Sequence, residues 1–269
     1  MNKKTRRFLI VGIVIVLIIG LLGGGFCAYK LYKHEKKQQA EISSLMGDVE
    51  YLEEKLIQAT EYYDFQNEYA DDTYNYLAIG NSLTLITSWE RGICSTEPDN
   101  DYFNLVVDSL EQNYGKVVAY PINYSPWERL DSRDKAFDLL NPYLDEKLNL
   151  VTIQLGENVS DTSTYEADLE SLINHIKEVA PNATILVIGD WWSLDKNEMR
   201  KTAAANTDVL FADLSEIVGN TDYQSVTGTE CKLANGSTVT VSEVAHTHPG
   251  DLGMQYIADK VIETLGIKK

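Results

Sequence analysis

The feature that most constrains this chain is an apolar run near its start, Phe8 to Phe26 (FLIVGIVIVLIIGLLGGGF), inside a stretch without charge between Arg7 and Lys30. A helix needs about 20 such residues to cross a bilayer, so the run reads as one membrane span. Lys3, Lys4, Arg6 and Arg7 precede it, and Lys30, Lys33, Lys36 and Lys37 come after it, so flanking charge does not choose an orientation. A short basic start before a single apolar run has the form of an uncleaved signal anchor, and long downstream domains translocate largely regardless of charge. Cleavage is not expected, because the run is too long for a signal-peptide core. Bulky Phe26 also spoils a lipid-attachment reading of Cys27. The expected layout is a cytoplasmic tail and anchor at 1–34, a helical stalk at 35–70, and an extracytoplasmic domain at 71–269.

Charge supports that division. Of the chain's 23 Lys and Arg and 41 Asp and Glu, the first 37 residues hold 8 bases and only Glu35 among the acids. The remainder of the chain carries 15 basic against 40 acidic residues and would repel a phosphate backbone, which argues against nucleic acid as a partner. Ile42, Leu45, Val49, Leu52, Leu56 and Ala59 alternate at spacings of three and four, an a/d seam. Two arrangements fit it: a stalk that pairs two chains into a homodimer, or one amphipathic helix lying on its own domain. Gly20 and Gly24 form a G-x-x-x-G pair within the span, which is also ordinary membrane-helix composition.

From Tyr74 the pattern changes to short apolar runs separated by helical stretches. Strands are expected near Tyr74–Ile79, Lys116–Tyr120, Leu150–Leu155, Thr184–Ile188 and Val209–Ala212. Helices are expected near Tyr102–Tyr114, Arg129–Lys147, Tyr165–Val179, Lys196–Asn206 and Gly250–Leu265. Continuous apolar strands alternating with helices imply an α/β domain with a mostly parallel sheet covered on both faces. Between the last strand and last helix, Asn235-Gly236 within Thr221–Val241 signals an inserted β-hairpin beside the carboxyl ends of the strands, where open sheets of this kind bind ligands.

Three short elements carry the chemistry. Gly80-Asn81-Ser82-Leu83 places a serine where the chain turns out of the first strand, with backbone N–H groups able to face a substrate carbonyl. Gln154-Leu155-Gly156-Glu157-Asn158 puts Asn158 at the carboxyl edge of the third strand, where its amide can donate to a developing oxyanion. Ala245-His246-Thr247-His248-Pro249-Gly250-Asp251 opens the last helix and holds two of the chain's 4 histidines; a neutral imidazole near Ser82 would supply its general base. Taken singly, the first two elements are also ordinary turn and cap chemistry.

Together and in this order, these elements resemble the SGNH family of GDSL-type hydrolases, over about Tyr74 to Leu265. The resemblance implies a three-layer α/β/α, flavodoxin-like fold, Ser82 as nucleophile, His248 as base, and an oxyanion hole that includes the Ser82 N–H and the Asn158 side chain. Two departures stand out. The family places Asp three residues before the catalytic His, and this chain has Ala245. A Ser-His dyad with the imidazole held by a backbone carbonyl is the expected arrangement, with Glu243, His246 and Asp251 as lesser stand-ins; on that reading Ala245→Asp raises turnover provided the chain there lets a carboxylate reach Nδ1, and an inert or harmful substitution points to a displaced acid. The second-block Gly is also missing, since no glycine occurs between Gly115 and Gly156; a backbone N–H at Ser125 is the expected substitute.

No metal and no cofactor are expected, because His34 and His175 stand in contexts unlike that of His246 and His248. Cys94 and Cys231 either form a disulfide over the site or remain two buried thiols. Trp191 and Trp192 come directly after the fourth strand, with Trp89 and Trp127 in earlier loops; such indoles suit the C–H faces of sugar rings, or pack beneath the loops. These features point to a membrane-anchored esterase that removes O-acyl groups, acetyl above all, from cell-wall or exported polysaccharide. Sequons at Asn123, Asn158, Asn182 and Asn235 favour a bacterial envelope, because a glycan on Asn158 would abolish its role. A glycan-binding pseudoenzyme and a dimeric envelope scaffold are the alternatives.

Overall fold

The computed structural model describes residues 67–269 throughout and, before them, only Lys30, Lys33, His34 and 36–38, which are helical. The apolar run, the G-x-x-x-G pair and the a/d seam lie outside the described residues. Among the described residues, no helix is long and apolar enough to cross a membrane. The sheet and its helices belong to the compact unit Lys55–Lys269.

Five strands, β1 (Tyr74–Gly80), β2 (Val117–Asn123), β3 (Leu150–Gln154), β4 (Thr184–Ile188) and β5 (Leu210–Ala212), form one parallel sheet in the order β2-β1-β3-β4-β5. Alternating side chains divide between two cores, as the two-residue period of a strand requires. Tyr76, Ala78, Leu150, Leu186 and Ile188 face one layer, built by α1 (Tyr102–Tyr114) and α6 (Asp251–Leu265). Leu77, Ile79, Val151, Ile153, Ile185 and Val187 face the other, built by α4 (Tyr165–Val179) and α5 (Leu194–Asn206), with α2 (Ser125–Arg129) and α3 (Phe137–Leu140) in the connection before β3. The chain turns from one side of β1 to the other between β2 and β3, so the carboxyl ends of β1 and β3 form the switch point where such sheets bind ligands.

Helix ends explain why several boundaries coincide with expectation. Asp101 caps α1 by accepting from Asn104 N at 2.9 Å. Ser193 caps α5 by accepting from Lys196 N at 3.3 Å, which starts that helix at Leu194, two residues before the expected Lys196. Strand β2 runs further than expected, through Pro121 to Asn123, which an edge strand permits because one side of its backbone needs no partner.

The expected helix over Arg129–Lys147 is not formed. In its place lie α2, a 3₁₀ turn at Arg133–Ala136, α3, and a second 3₁₀ turn at Asn141–Tyr143. Leu130 takes an extended backbone (φ −81°, ψ 141°), and Leu144 does the same (φ −88°, ψ 141°) after Pro142. The buried residues Ala136, Leu140, Leu144 and Leu148 nonetheless fall every fourth position, which is what imitates a helix in the sequence.

The inserted hairpin is present: β6 (Glu230–Lys232) pairs antiparallel with β7 (Thr238–Thr240), and Gly236 in their connection has φ 81°. Lys232 N donates to Thr96 O at 2.8 Å, and Ser225 N, upstream of the hairpin, donates to His248 O at 2.8 Å. The insertion is thereby fastened both to the loop after β1 and to the loop that opens α6.

Candidate active site

Strand β1 ends at Gly80, where a Cβ would lie 1.8 Å from Thr84 Oγ1, so the chain passes this point only as glycine. The turn beyond it is closed on Asn81: its carbonyl accepts from Thr84 N and Leu85 N at 3.0 Å each, and its Oδ1 accepts from Leu83 N at 3.2 Å. Ser82 is half-buried at the crest, and among the described residues no protein acceptor takes its N–H. That leaves the N–H available to a substrate oxygen.

His248 reaches this serine across a sequence separation of 166, with Nε2 3.2 Å from Ser82 Oγ. Its Nδ1 lies 2.9 Å from the carbonyl of Ala245. A carbonyl only accepts, so Nδ1 carries the proton and the Nε2 lone pair faces the serine hydroxyl. Burial holds His248 below the ordinary histidine value of 6.5, with the Ala245 carbonyl and the Glu157 charge pulling the other way, so the ring is neutral at pH 7 and able to accept a proton.

The same Ala245 oxygen also accepts from His248 N at 2.9 Å and from the Cys94 thiol at 3.3 Å. Of the stand-ins, Asp251 is employed elsewhere, and the Glu243 group that meets a histidine is its main-chain carbonyl. Asp251 accepts from Thr96 N (2.8 Å), Thr96 Oγ1 (2.5 Å) and Asn100 Nδ2 (3.1 Å), while His246 Nδ1 lies 2.6 Å from the Glu243 carbonyl. The arrangement is a Ser-His dyad oriented by the main chain.

Asn158 stands on the loop after β3, where Gly156 has φ 127° and a Cβ would meet Tyr165 Oη at 2.0 Å. Its amide lies against two neighbours from α2: Nδ2 donates to Glu128 Oε2 at 2.6 Å, and Oδ1 accepts from Arg129 Nη2 at 3.3 Å. Glu128 Oε1 also accepts from Gly156 N (2.5 Å), Asn81 Nδ2 (3.1 Å) and Asn158 N (3.3 Å). Asn81 Nδ2 is shared with Glu157 Oε2 at 2.8 Å, and Glu157 pairs at 2.8 Å with the wholly buried Arg200, which also pairs with Asp190 at 2.9 Å. Burial and the neighbouring Glu157 charge push the Glu128 carboxyl up, whereas Arg200 holds that of Glu157 down. An aspartate at position 81 would set a third carboxylate against Glu128 and Glu157; the asparagine offers them an N–H instead.

Two of the expected roles, Ser125 as an oxyanion donor and Trp191 as a sugar platform, are corrected. Ser125 N is taken by Asn123 Oδ1 at 3.0 Å in a turn at the start of α2, so it is not an available oxyanion donor. Trp191 is buried and donates Nε1 to Thr247 O at 2.9 Å, which braces the loop beside His248 rather than presenting a face to ligand. Trp89 and Trp127 are buried as well. Trp192 alone of the four is exposed, at 37%, and it meets the His248 ring edge-on with centroids 5.0 Å apart. Cys94 and Cys231 are free thiols buried in one apolar cluster with Trp89, Ile93, Val241 and Ala245, and burial pushes the Cys94 thiol up to about 12. Among the described residues no group of His, Cys, Asp and Glu is placed to hold a metal ion.

Glu128, Asp190 and Arg200 are the site residues that sequence reasoning passed over. Asp190 stood in a segment singled out only for its tryptophans, and Glu128 and Arg200 belong to no local pattern.

No protein-family model matches the sequence, and no curated protein matches it. Solved structures do match. A catalytic mutant of Axe2, an acetylxylan esterase from Geobacillus stearothermophilus, is 16% identical with a TM-score of 0.50, over 72% of this chain and 95% of that one. LAE5, an alpha/beta hydrolase enzyme from the metagenome of Lake Arreo, Spain, is 13% identical with a TM-score of 0.48, over 72% and 95%. A two-domain esterase active on acetylated mannans is 15% identical with a TM-score of 0.49, over 72% of this chain and 49% of that one. At such identities the likeness is one of architecture, and the chain has the fold of the SGNH/GDSL-type hydrolases.

Proposed function

We propose that this protein is a serine esterase that removes O-acyl groups, acetyl above all, from a cell-wall or exported polysaccharide. The observation that carries the reading is the contact between Ser82 Oγ and a neutral His248 Nε2 whose other nitrogen is fixed on a carbonyl. Ser82 attacks the ester carbonyl while its proton passes to Nε2. The oxyanion is received by the Ser82 N–H and by the second N–H of the Asn158 amide. His248 gives the proton to the sugar's ester oxygen as its bond to the acyl carbon breaks, so the sugar leaves as an alcohol and the acyl group remains on Ser82. Water then attacks the acyl-enzyme with His248 again as base, which releases the acid and restores the serine.

Trp192, exposed beside His248, is the surface against which a sugar ring would stack. That a structurally similar protein is an acetylxylan esterase supports the choice of acyl group and polymer class. The apolar run at Phe8–Phe26 supports tethering to a membrane with the catalytic domain outside.

The test is acetate release from a panel of acetylated glycans and from an aryl acetate. The purified protein should release acetate, and Ser82→Ala should lose nearly all of that rate. Equal rates for the two proteins would refute the reading, and saccharide binding without turnover in both would favour the pseudoenzyme.

A further inference from the structure

The oxyanion hole lacks the donor expected after β2, because the Ser125 N–H is consumed by Asn123. The segment that fails to supply this donor is nevertheless in contact with the donor that remains. We propose that Glu128 and Arg129, consecutive residues of α2, form a clasp that presets the Asn158 side-chain amide to receive the oxyanion; this rests on the esterase reading.

The chemistry of the clasp is directional. A carboxylate only accepts and a guanidinium only donates, and they meet opposite ends of one amide: Glu128 Oε2 takes Asn158 Nδ2 at 2.6 Å, and Arg129 Nη2 gives to Asn158 Oδ1 at 3.3 Å. A flipped amide would set oxygen against carboxylate and N–H against guanidinium, so one orientation is selected. Glu128 uses one of the two Nδ2 hydrogens and leaves the other for the substrate.

The same carboxylate ties the two halves of the hole together. Its Oε1 accepts from Asn81 Nδ2 at 3.1 Å, next to the Ser82 N–H, and from Gly156 N at 2.5 Å and Asn158 N at 3.3 Å on the loop after β3. The spacing between the Ser82 N–H and the Asn158 amide is thereby set through one buried group. Every named partner of Glu128 among these is an N–H donor, so these hydrogen bonds favour the ionised form against the burial and the Glu157 charge that oppose it. Burying a carboxylate is costly unless its hydrogen bonds are made, and here both oxygens are occupied. Glu128 is thus a positioning residue that acts through Asn158, and α2 contributes to transition-state binding without touching substrate.

The experiment uses the full chain in detergent and compares wild type, Glu128→Gln, Asn158→Ala and the double variant. Glutamine keeps the shape but replaces an acceptor oxygen by an amide that conflicts with Asn158 Nδ2. Expected is a fall in kcat approaching the ~10²–10³-fold cost of one lost oxyanion donor, with KM changed by less than about threefold. Asn158→Ala should then cost little more in the Glu128→Gln background than Glu128→Gln alone. A folded Glu128→Gln enzyme with unchanged kcat, or two rate losses that multiply, overturns the proposal.

A second measurement needs neither variant to fold. In the ¹⁵N-labelled wild-type protein, one Asn158 side-chain amide proton should exchange slowly, and rapid exchange of both would overturn the clasp. A protein with that slow proton but no activity on any ester would instead refute the esterase reading and leave the clasp standing.

Discussion

At the scale of single residues, Ala245 shows how a position can be half right. Its carbonyl does what a missing acid was expected to need replacing for, since it holds Nδ1 of His248 at 2.9 Å. Its side chain, however, is buried in the apolar cluster of Trp89, Ile93, Cys94, Cys231 and Val241. An aspartate there would place a carboxylate among carbon and sulfur atoms, so the expectation that Ala245→Asp raises turnover is revised. The substitution should destabilise the fold by at least the ~1–3 kcal/mol of an unpaired buried polar group, read from denaturant unfolding, and should bring no gain in kcat. Ser82, Asn158 and His248 could be picked out in the sequence because each belongs to a short local motif at the end of a strand or the start of a helix. Glu128 could not, because its meaning comes from Asn81, Gly156 and Asn158, which lie on two other loops.

At the scale of elements, the parts of the sequence that spoke clearly were those in which pattern and punctuation agree. Helices α1 and α4 occupy the expected Tyr102–Tyr114 and Tyr165–Val179, each with one apolar stripe and a definite end. The stretch from Arg129 to Lys147 misled because a fourfold apolar spacing survived Pro142 and two extended residues. Trp191 makes the same point from the opposite side, since an indole beside a cleft reads as a platform until its N–H is found on Thr247 O at 2.9 Å. Trp191→Phe keeps most of the packing and loses that bond. It should lower stability by about 1 kcal/mol, seen as a lower melting temperature, and should reduce kcat more than it raises KM, because the carbonyl it holds adjoins His248.

At the scale of the whole molecule, the parallel order β2-β1-β3-β4-β5 gathers Ser82, Asn158 and His248 at one edge of a strongly acidic domain. The charge after residue 37, 15 basic against 40 acidic, should disfavour anionic substrates at low ionic strength. For an ester of a carboxylated glycan kcat/KM should rise as salt is added, while for a neutral acetate it should stay flat; identical salt profiles would contradict this. On the proposed mechanism, the separation of 166 residues between Ser82 and His248 also sets when the protein becomes chemically competent. At the ~5–20 residues per second of synthesis, Ser82 is made about ten to thirty seconds before His248 exists. On that mechanism its hydroxyl is, during the interval, as inert as any other serine's, and a chain halted before His248 carries no hydrolytic hazard for the cell that makes it.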